Sequence, residues 1–376
     1  MPYSLTPAQE HLQQEVRAFA QTTARPRALE LDRANVLDRE LFRAIGERRW
    51  AGPIVPREHG GLGGGAVEYA LIIEELAAAC APTPQINVQV EKMILDFGTP
   101  EQQARYLPRL SDGRWVAAEA ISEPAAGSTL RTVESTAVRD GPWYVVNGTK
   151  SHVNLAADAD LMAVFAKTAE GLTAFLMEAG TPGVTFTKQD PIGYRAHPIY
   201  DVRFEDCRLP VSSRLGPEGR AYDVFFTTFN LSRIGNASHF IGVARAALED
   251  ATTYISHRRV GRRLVKDFQG IRWIVADLAA KLEAVTIMRN YVAWQHDRGQ
   301  EHMKETAMCK LLAAEFAEEI TSKALQITGS HGAYRTQPFE LYWRDVKAAQ
   351  IGGGTAEIMR NLIARAILGK EEELAP

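Results

Sequence analysis

The feature that most constrains the fold is a change in hydrophobic periodicity that occurs twice along the 376 residues. In the first third, apolar residues recur at a spacing of three to four through 41–45, 69–79 and 90–97, which predicts amphipathic helices. From about Trp115 the pattern changes to short β-type runs such as WYVVNG, DLMAVFAK and LTAFLME, separated by turn residues. After Pro217 helical periodicity returns and continues toward the C-terminus.

This order predicts an α+β protein rather than the regular strand-helix alternation of a doubly wound sheet. The length also exceeds the size at which one hydrophobic core usually keeps growing. We therefore expect an N-terminal helical domain at 1–114, a middle β domain at 115–216 and a C-terminal helical bundle at 217–376. The first helix should begin at Thr6, because Thr6, Pro7 and Gln9 form a capping-box pattern.

Composition excludes several classes of function. The net charge of -3 gives no field that would attract nucleic acid or an anionic membrane. The three cysteines, Cys80, Cys207 and Cys309, form no CxxC pair, and the histidines lack metal-binding spacings, so no disulfide framework and no metal are expected. The N-terminus lacks the pattern of a signal peptide and no apolar run is long enough to cross a membrane. The prediction is a cytoplasmic protein without membrane insertion.

Three segments could bind a phosphate-containing cofactor. The first, at 120–128, reads AISEPAAGS and opens the β domain. The second is a basic cluster at 257–266 that precedes Gln269; its alternative interpretation is a solvated helix face. The third is the GGGT sequence at 352–355, where Thr355 could cap a helix whose free amides bind an anion, or could be a plain N-cap.

Taken together and in this order, these segments resemble the acyl-CoA dehydrogenase family over nearly the whole chain. The family's Ser/Thr-Glu-Pro-x-x-Gly-Ser-Asp motif resembles residues 122–129, with Thr129 in place of the usual Asp. Further similar stretches are VVNGTK at 145–150, FEDCRLP at 204–210, the 258–269 segment, LQITG at 325–329 and Arg344-Asp345. The resemblance implies a middle β domain between a helical domain and a C-terminal four-helix bundle, FAD as cofactor, and a homodimer or homotetramer.

The resemblance also implies roles for individual residues. It places Ile121, Ser122, His152 and Asn154 against the isoalloxazine ring, and Ser128 near both cofactor and thioester. It places the pyrophosphate against Thr355 and Glu357. The AMP end of a neighbouring subunit's FAD would be held by Arg258, Gln269, Gln326 and Gly329. His152-Val153-Asn154 stands where the family often has Trp-Ile-Thr.

The family's catalytic carboxylate is missing from both of its usual places. Where a Tyr-Glu-Gly-Thr motif is usual the chain has Gly352-Gly353-Gly354-Thr355, so Gly353 takes the place of the base. The alternative position, just before an Arg on the first helix of the C-terminal domain, is Ser232 before Arg233. Loss of a general base costs about a hundred- to ten-thousand-fold in rate, so another residue should take over or the reaction differs. Glu119, His152 and Glu91 are the candidate replacements.

The two glycines also remove side chains beside the reacting carbons, which predicts room for a bulky or branched acyl group. Phe229, Asn230 and Arg233, with Ser128, Gly352 and Gly353, should line this pocket. If the pocket otherwise matches the family, Gly353→Glu should restore dehydrogenation of simple thioesters.

The favoured hypothesis is FAD-dependent α,β-dehydrogenation of an acyl thioester carried by CoA or a carrier protein. Its electron acceptor would be an electron-transfer flavoprotein or oxygen. Two alternatives stay open: a flavin-dependent oxygenase or oxidase on the same fold, and a non-catalytic family member.

Overall fold

The computed structural model describes residues 4–369 and confirms the predicted order of helices, strands and helices. The first third is helical, and a five-residue π-helical stretch, Ala20–Ala24, follows the first helix. Its helices are α1 (Pro7–Phe19), α2 (Ala28–Ala34), α3 (Arg39–Glu47), α4 (Ala66–Ala78), α5 (Gln85–Phe97) and α6 (Pro100–Ser111).

The strands lie in the middle of the chain, where the β-type runs predicted them, and a short pair follows later. They are β1 (Ala117–Ala120), β2 (Thr136–Asp140), β3 (Trp143–Asn154), β4 (Leu161–Thr168), β5 (Gly171–Glu178), β6 (Val184–Lys188), β7 (Ile199–Pro210), β8 (Arg214–Leu215), β9 (Arg259–Val260) and β10 (Arg263–Leu264).

The last third contains three helices longer than 25 residues, as its long uninterrupted periodicity predicted. Its helices are α7 (Ala221–Phe226), α8 (Phe229–His257), α9 (Gln269–Asp297), α10 (Met303–Thr328), α11 (Phe339–Ala349) and α12 (Ala356–Leu368). No helix in the described part of the chain is both long enough and apolar enough to span a bilayer.

The predicted helix starts are confirmed at both ends of the chain. The Thr6 side chain accepts from the Gln9 amide, and the Gln9 side chain accepts from the Thr6 amide in return. Near the C-terminus, Thr355 caps α12 by accepting from the Ile358 amide. Such reciprocal bonds satisfy amides that a helix leaves unpaired in its first turn.

The chain divides into two compact units that do not follow the three predicted segments. The strand unit comprises residues 30–69 and 82–229, and the helix unit comprises residues up to 29, 70–81 and from 230 onward. The proposed domain boundaries at 114 and 216 fall in the connections between α6 and β1 and between β8 and α7.

The sheet of the strand unit has the order β6-β7-β3-β2-β4-β5-β8, with β1 added in parallel beside β4. Alternate residues of β1 face two different cores, as the two-residue period of a strand requires. Ala118 and Ala120 pack in a cluster with residues of β3, β5 and β7. Ala117 and Ile121 pack in a cluster with residues of α5, α6 and α7. Strand β1 is therefore buried on both faces and rigidly placed.

The core of the helix unit contains a buried network of charges. Arg289, 1% exposed, donates to the Glu74 carboxylate at 2.6 Å and to the Ser238 hydroxyl at 3.0 Å. Arg245 donates to both Glu74 and Glu75. Burial opposes ionisation of Glu74, but Arg289 and Arg245 outweigh it and lower the pKa of Glu74. The network fixes the α4 segment of this unit against α8 and α9.

Candidate flavin and acyl-thioester site

Within the strand unit, the residues predicted to face the flavin lie where β1 ends beside β3. The Ser151 amide of β3 donates to the Ser122 carbonyl at 2.9 Å. Lys150, the preceding residue, donates from its Nζ to the Ile121 carbonyl at 3.2 Å and to the Glu123 carboxylate at 2.7 Å. The 121–123 segment is thus tied to β3 by two bonds to its backbone carbonyls and one to the Glu123 side chain.

Glu123 and Lys150 form an ion pair that is almost inaccessible to water. The Lys150 side chain is 0% exposed and that of Glu123 is 4% exposed. Glu123 also accepts from the backbone amides of Glu134 and Ser135. Burial disfavours its ionisation, but the Lys150 and Ser135 hydrogen bonds lower the pKa of Glu123 nonetheless. A buried pair with every oxygen bonded holds its geometry because breaking it would strand a charge.

Glu119 lies two residues before Ile121, on the same face of the strand by alternation. Its Oε1 atom is buried and has no hydrogen-bond partner among residues 4–369. Burial raises the pKa of Glu119 to about 8. This carboxyl group is mostly protonated at neutral pH and can exchange a proton near it, which is the property expected of a catalytic acid or base.

Glu91 and His152, the other candidate replacements for the base, have different environments. Glu91 is fully buried in α5, and its carboxyl group accepts from the Ser111 hydroxyl of α6 at 3.1 Å. Burial raises the pKa of Glu91 well above its usual range. His152 is exposed and has a left-handed backbone with φ of 58°, at an irregularity in the β3 pairing. Of the three, Glu119 is the one that has both a raised carboxyl pKa and a position on the predicted flavin face.

The remaining strand-unit candidates are spread along the unit. Asn154 ends β3, and its Oδ1 is buried without a hydrogen-bond partner in the described part of the protein. Ser128 is exposed in the loop after β1. Phe229 packs edge-on against Phe225 and Phe226, with ring centroids 4.7 Å and 4.8 Å away. These three rings form an aromatic cluster at the end of α7.

Within the helix unit, the turn that replaces the family's Tyr-Glu-Gly-Thr motif lies between α11 and α12. Gly353 has φ of 65° and Gly354 has φ of 95°, a backbone region that favours glycine. A Cβ atom built on Gly353 would overlap the side-chain amide nitrogen of Asn236 on α8. The space expected to be empty at Gly353 is therefore occupied. Gly352 is different, because a Cβ atom built there would lie 3.6 Å from its nearest neighbour, the Ala349 carbonyl oxygen.

This geometry adds a condition to the expectation for Gly353→Glu. A glutamate at this position would need a left-handed backbone that is strained for a side-chain-bearing residue, and a different rotamer of Asn236. Restored dehydrogenation in Gly353→Glu therefore requires Asn236 to move, and it stays a prediction.

A buried lysine holds the same turn. Lys310 of α10 is 1% exposed and donates to the Gly354 carbonyl at 2.5 Å and to the Gln350 carbonyl at 3.1 Å. Burial and the neighbouring Arg233 lower the pKa of Lys310 to about 8, against the opposing effect of Glu357. Burial also lowers the pKa of Arg233 to about 10. Ser232, the alternative position of the base, is buried beside Arg233.

The residues predicted to hold the AMP end lie on exposed parts of the helix unit. Arg258 follows α8, Gln269 begins α9, and Gln326 and Gly329 lie at the end of α10. Gly329 has φ of 64° and ends that helix. Glu357 is exposed in the first turn of α12. Asn230 lies in the first turn of α8 and is partly exposed.

Sequence reasoning did not identify Asn236, Lys310 or a role for Lys150. Asn236 and Lys310 lie on long helices whose apolar periodicity hides single polar residues. The available signal was the spacing of Asn236 four residues after Ser232, which places both on one helix face. Lys150 was part of a matched motif, but its pairing with Glu123 depends on how two strands meet.

Comparison with known families identifies all three segments. The model of the acyl-CoA dehydrogenase N-terminal domain matches residues 6–114, that of the middle domain residues 118–207, and that of the C-terminal domain residues 219–368. The chain belongs to the acyl-CoA dehydrogenase family of flavoprotein oxidoreductases, which confirms the predicted fold class and enzyme class.

Individual relatives match the chain over nearly its whole length. It is 35% identical to the acryloyl-CoA reductase (NADH) of Anaerotignum propionicum, over 98% of this chain and 96% of the relative. Among solved structures, butyryl-CoA dehydrogenase from Megasphaera elsdenii is 30% identical, with a TM-score of 0.93 and coverage of 97% and 99%. The prolyl acyl carrier protein oxidase AnaB is 26% identical, with a TM-score of 0.89 and coverage of 97% and 100%.

FAD is the cofactor of this family, and the residues on the predicted flavin face of the strand unit fit it. Glu119 lies near the end of β1 and Asn154 ends β3. Each has one buried side-chain oxygen that forms no hydrogen bond with any of residues 4–369. Buried polar atoms are normally bonded, so these two are consistent with a ligand that completes their hydrogen bonds. Between them the Ile121-Ser122 backbone is fixed by Lys150 and Ser151.

Proposed function

We propose that this enzyme removes hydrogen across the α,β bond of an acyl thioester, with the Glu119 carboxylate as the base in place of the residue missing at Gly353. The observation that carries the proposal is the carboxyl group of Glu119. Its Oε1 atom is buried without a partner in the described residues, and desolvation raises its pKa to about 8 on the face of β1 that Ile121 continues. When bound, FAD supplies the acceptor for the β hydrogen as hydride.

Each protein group then has a defined task. Glu119 takes the α proton, which only its ionised form can do, and burial makes that form a stronger base than an exposed carboxylate. The Lys150–Glu123 pair fixes the Ile121-Ser122 backbone, which would contact the flavin when FAD is bound. Lys310 holds the Gly352–Gly354 turn by its carbonyls.

The proposed substrate has a branched or otherwise bulky acyl group on CoA or a carrier protein. Its support is the absence of a side chain at Gly352, where an added Cβ would meet the Ala349 carbonyl at 3.6 Å, an ordinary contact distance, and would overlap nothing in the described residues. Gly353 lends no support, because Asn236 fills its side-chain space. Phe229, Asn230, Arg233 and Ser128 remain the proposed lining residues.

The proposed active form is a homodimer or homotetramer that passes electrons to an electron-transfer flavoprotein or to oxygen. Large apolar side chains are exposed along α9 and at the end of α12, among them Trp273 at 62% and Leu368 at 83%. Exposed apolar surface of this kind is typical of an interface between subunits. The exposed positions of Arg258, Gln269 and Gln326 suit contact with a cofactor bound mainly by another subunit.

The test is anaerobic titration of the purified, flavin-loaded enzyme with a panel of acyl-CoA and acyl-pantetheine thioesters, straight and branched. We expect branched thioesters to bleach the flavin absorbance and straight-chain ones to do so more slowly. Flavin that no thioester of the panel reduces would overturn the proposal.

A second candidate is an oxidase that returns electrons directly to oxygen. It is favoured by the similarity to a solved carrier-protein oxidase. Rapid reoxidation of the substrate-reduced flavin by air, measured by stopped-flow absorbance, would select it over a dehydrogenase. A protein that takes up no FAD during refolding with excess cofactor would instead indicate a non-catalytic member.

A further inference from the structure

The side chain of Asn236 occupies the place of a side chain at Gly353, where the family's carboxylate is missing. It fills the volume in which a side chain at 353 would lie. It also follows Ser232 by four residues on α8, so the two side chains point from the same face of that helix. A side chain at 353 and Asn236 in its present rotamer exclude each other. The loss at Gly353 therefore leaves a carboxamide rather than a void.

A carboxamide cannot perform the chemistry of the carboxylate that it replaces. It takes no proton in the physiological range, and its nitrogen is a donor of two hydrogen bonds. The Nδ2 atom of Asn236 is buried and makes no hydrogen bond to any of residues 4–369. The residue as a whole is only partly buried, so its surroundings are open on one side. A buried donor without a partner is unusual enough in folded proteins to require an explanation.

The charges near Asn236 favour the same kind of ligand atom. Arg233 lies three residues before it on α8 and is 4% exposed. Arg233 acts electrostatically on Lys310, which binds the carbonyl of Gly354, the residue directly after Gly353. Two cations and an amide donor form a surrounding that attracts an oxygen with lone pairs. A purely hydrocarbon chain would leave the donor unbonded.

We propose that Asn236 donates a hydrogen bond to an oxygen atom on the acyl chain of the substrate, and that the enzyme is selective for oxygen-bearing over plain hydrocarbon acyl thioesters. This inference rests on the proposed function and specifies its substrate class. Asn236 is thereby a specificity residue, separate from the proposed base Glu119.

The test measures binding of three five-carbon thioesters of CoA by isothermal titration calorimetry under anaerobic conditions. Pentanoyl-CoA has no acyl oxygen beyond the thioester, 4-oxopentanoyl-CoA adds a neutral ketone, and glutaryl-CoA adds a carboxylate. We expect the wild type to bind both oxygen-bearing thioesters at least about tenfold tighter than pentanoyl-CoA, because a site with an unpaired donor discriminates against an analogue that lacks the acceptor. Asn236→Leu should reduce both ratios to about one.

Two further variants make the result interpretable. Asn236→Asp keeps the shape but replaces the donor by a carboxylate, so it should bind glutaryl-CoA more weakly than the wild type does. Thr253→Ala, at an exposed position of the same helix, should leave all three affinities unchanged. Flavin content and the unfolding temperature of each variant establish that it is folded.

Each other result overturns the inference. Equal binding of the three thioesters by the wild type would exclude selectivity. An equal loss of affinity for all three thioesters in Asn236→Leu would mean that Asn236 bonds to the thioester carbonyl that they share. A preference for glutaryl-CoA that survives in Asn236→Leu would mean that the cations, and not Asn236, cause the selectivity. Binding of none of the three would overturn the proposed function as well, whereas unselective binding would overturn only this inference.

Discussion

Two regions that the family resemblance marks as functional differ in their buried charges. At the end of β1, Lys150 is paired with the Glu123 carboxylate, and a second carboxyl group, Glu119, lies on the same strand. At the Gly352–Gly354 turn, Lys310 is similarly buried, and its hydrogen bonds within residues 4–369 go to the neutral carbonyls of Gln350 and Gly354. Neither position 232 nor position 353 supplies a carboxylate.

The chain has thus kept a compensated charge pair beside the 122–129 motif, whereas at the Gly352–Gly354 turn it lacks the family's carboxylate. A lysine compensated by a full negative charge tolerates little change, since removal of either partner leaves a buried charge alone. A lysine compensated by carbonyl dipoles tolerates more, because carbonyls stay neutral when the lysine is lost. We expect the two regions to respond to substitution accordingly.

The largest effect should come from Glu119→Gln. If Glu119 is the base, this variant should lose about a hundred- to ten-thousand-fold in the rate of flavin reduction by substrate. The wild-type rate should rise with pH through about 8, because the base must be ionised and burial raises the pKa of Glu119 to about 8. Anaerobic stopped-flow absorbance from pH 6 to 10, an experimental range chosen to bracket that pKa, measures both. Glu170→Gln, an exposed change in the same unit, is the control.

A flat pH profile, or full activity in Glu119→Gln with normal flavin content, would refute the move of the base to this strand. In that case Glu91→Gln and His152→Ala are the variants to compare next.

Lys150→Met should be the most destabilising of the lysine changes. It leaves the Glu123 carboxylate buried with only backbone donors, so we expect a loss of about 3–5 kcal/mol in the free energy of unfolding. Urea unfolding followed by circular dichroism measures it, together with the loss of bound flavin. Lys167→Met, an exposed change on β4, should stay within roughly 0.5 kcal/mol of the wild type. Equal effects of the two variants would mean that the ion pair does not hold this region.

Lys310→Met should cost less, about 2–3 kcal/mol, because it leaves two neutral carbonyls without their charged donor. The pKa of Lys310 is lowered to about 8, below its value of about 10.4 in the unfolded chain. The unfolded chain therefore binds more protons in this window, and the wild type should gain stability relative to the variant as pH rises from about 8 toward 10.4.

Urea unfolding of both proteins across that pH window checks the sign. Lys323→Met, an exposed change on the same helix, provides the baseline. A loss larger than that of Lys150→Met would contradict the comparison between the two buried lysines.

Gly353→Ala should have the smallest effect, about 1–2 kcal/mol, from the left-handed backbone. Gly353→Ala also requires Asn236 to move. Gly299 is the matched control, because its φ of 64° is similar and a Cβ added there has no neighbour within 4 Å. The excess cost of Gly353→Ala over Gly299→Ala thus measures the overlap with Asn236. We expect Asn236→Ala to remove this excess in a double-mutant cycle by urea unfolding. An excess that remains would show that Asn236 does not fill the space.

The order of helices and strands in this protein is predictable from the amino-acid sequence, because it follows from local patterns. Capping residues such as Thr6 and Thr355, and the change from helical to two-residue periodicity near Trp115, act over short distances along the chain. The same holds for the motif at 122–129, whose residues stand next to one another in the sequence. A Gly in place of Glu at 353 was equally visible.

The residue that occupies the place of the lost carboxylate, in contrast, is visible in the folded chain and not in the sequence pattern. Asn236 precedes Gly353 by more than a hundred residues, and no periodicity couples their positions. The raised pKa of Glu119 and the lowered pKa of Lys310 are likewise invisible in the sequence, because desolvation depends on which distant segments pack around a group. Local signals set the elements of the fold, whereas packing between distant segments set the chemistry of the site.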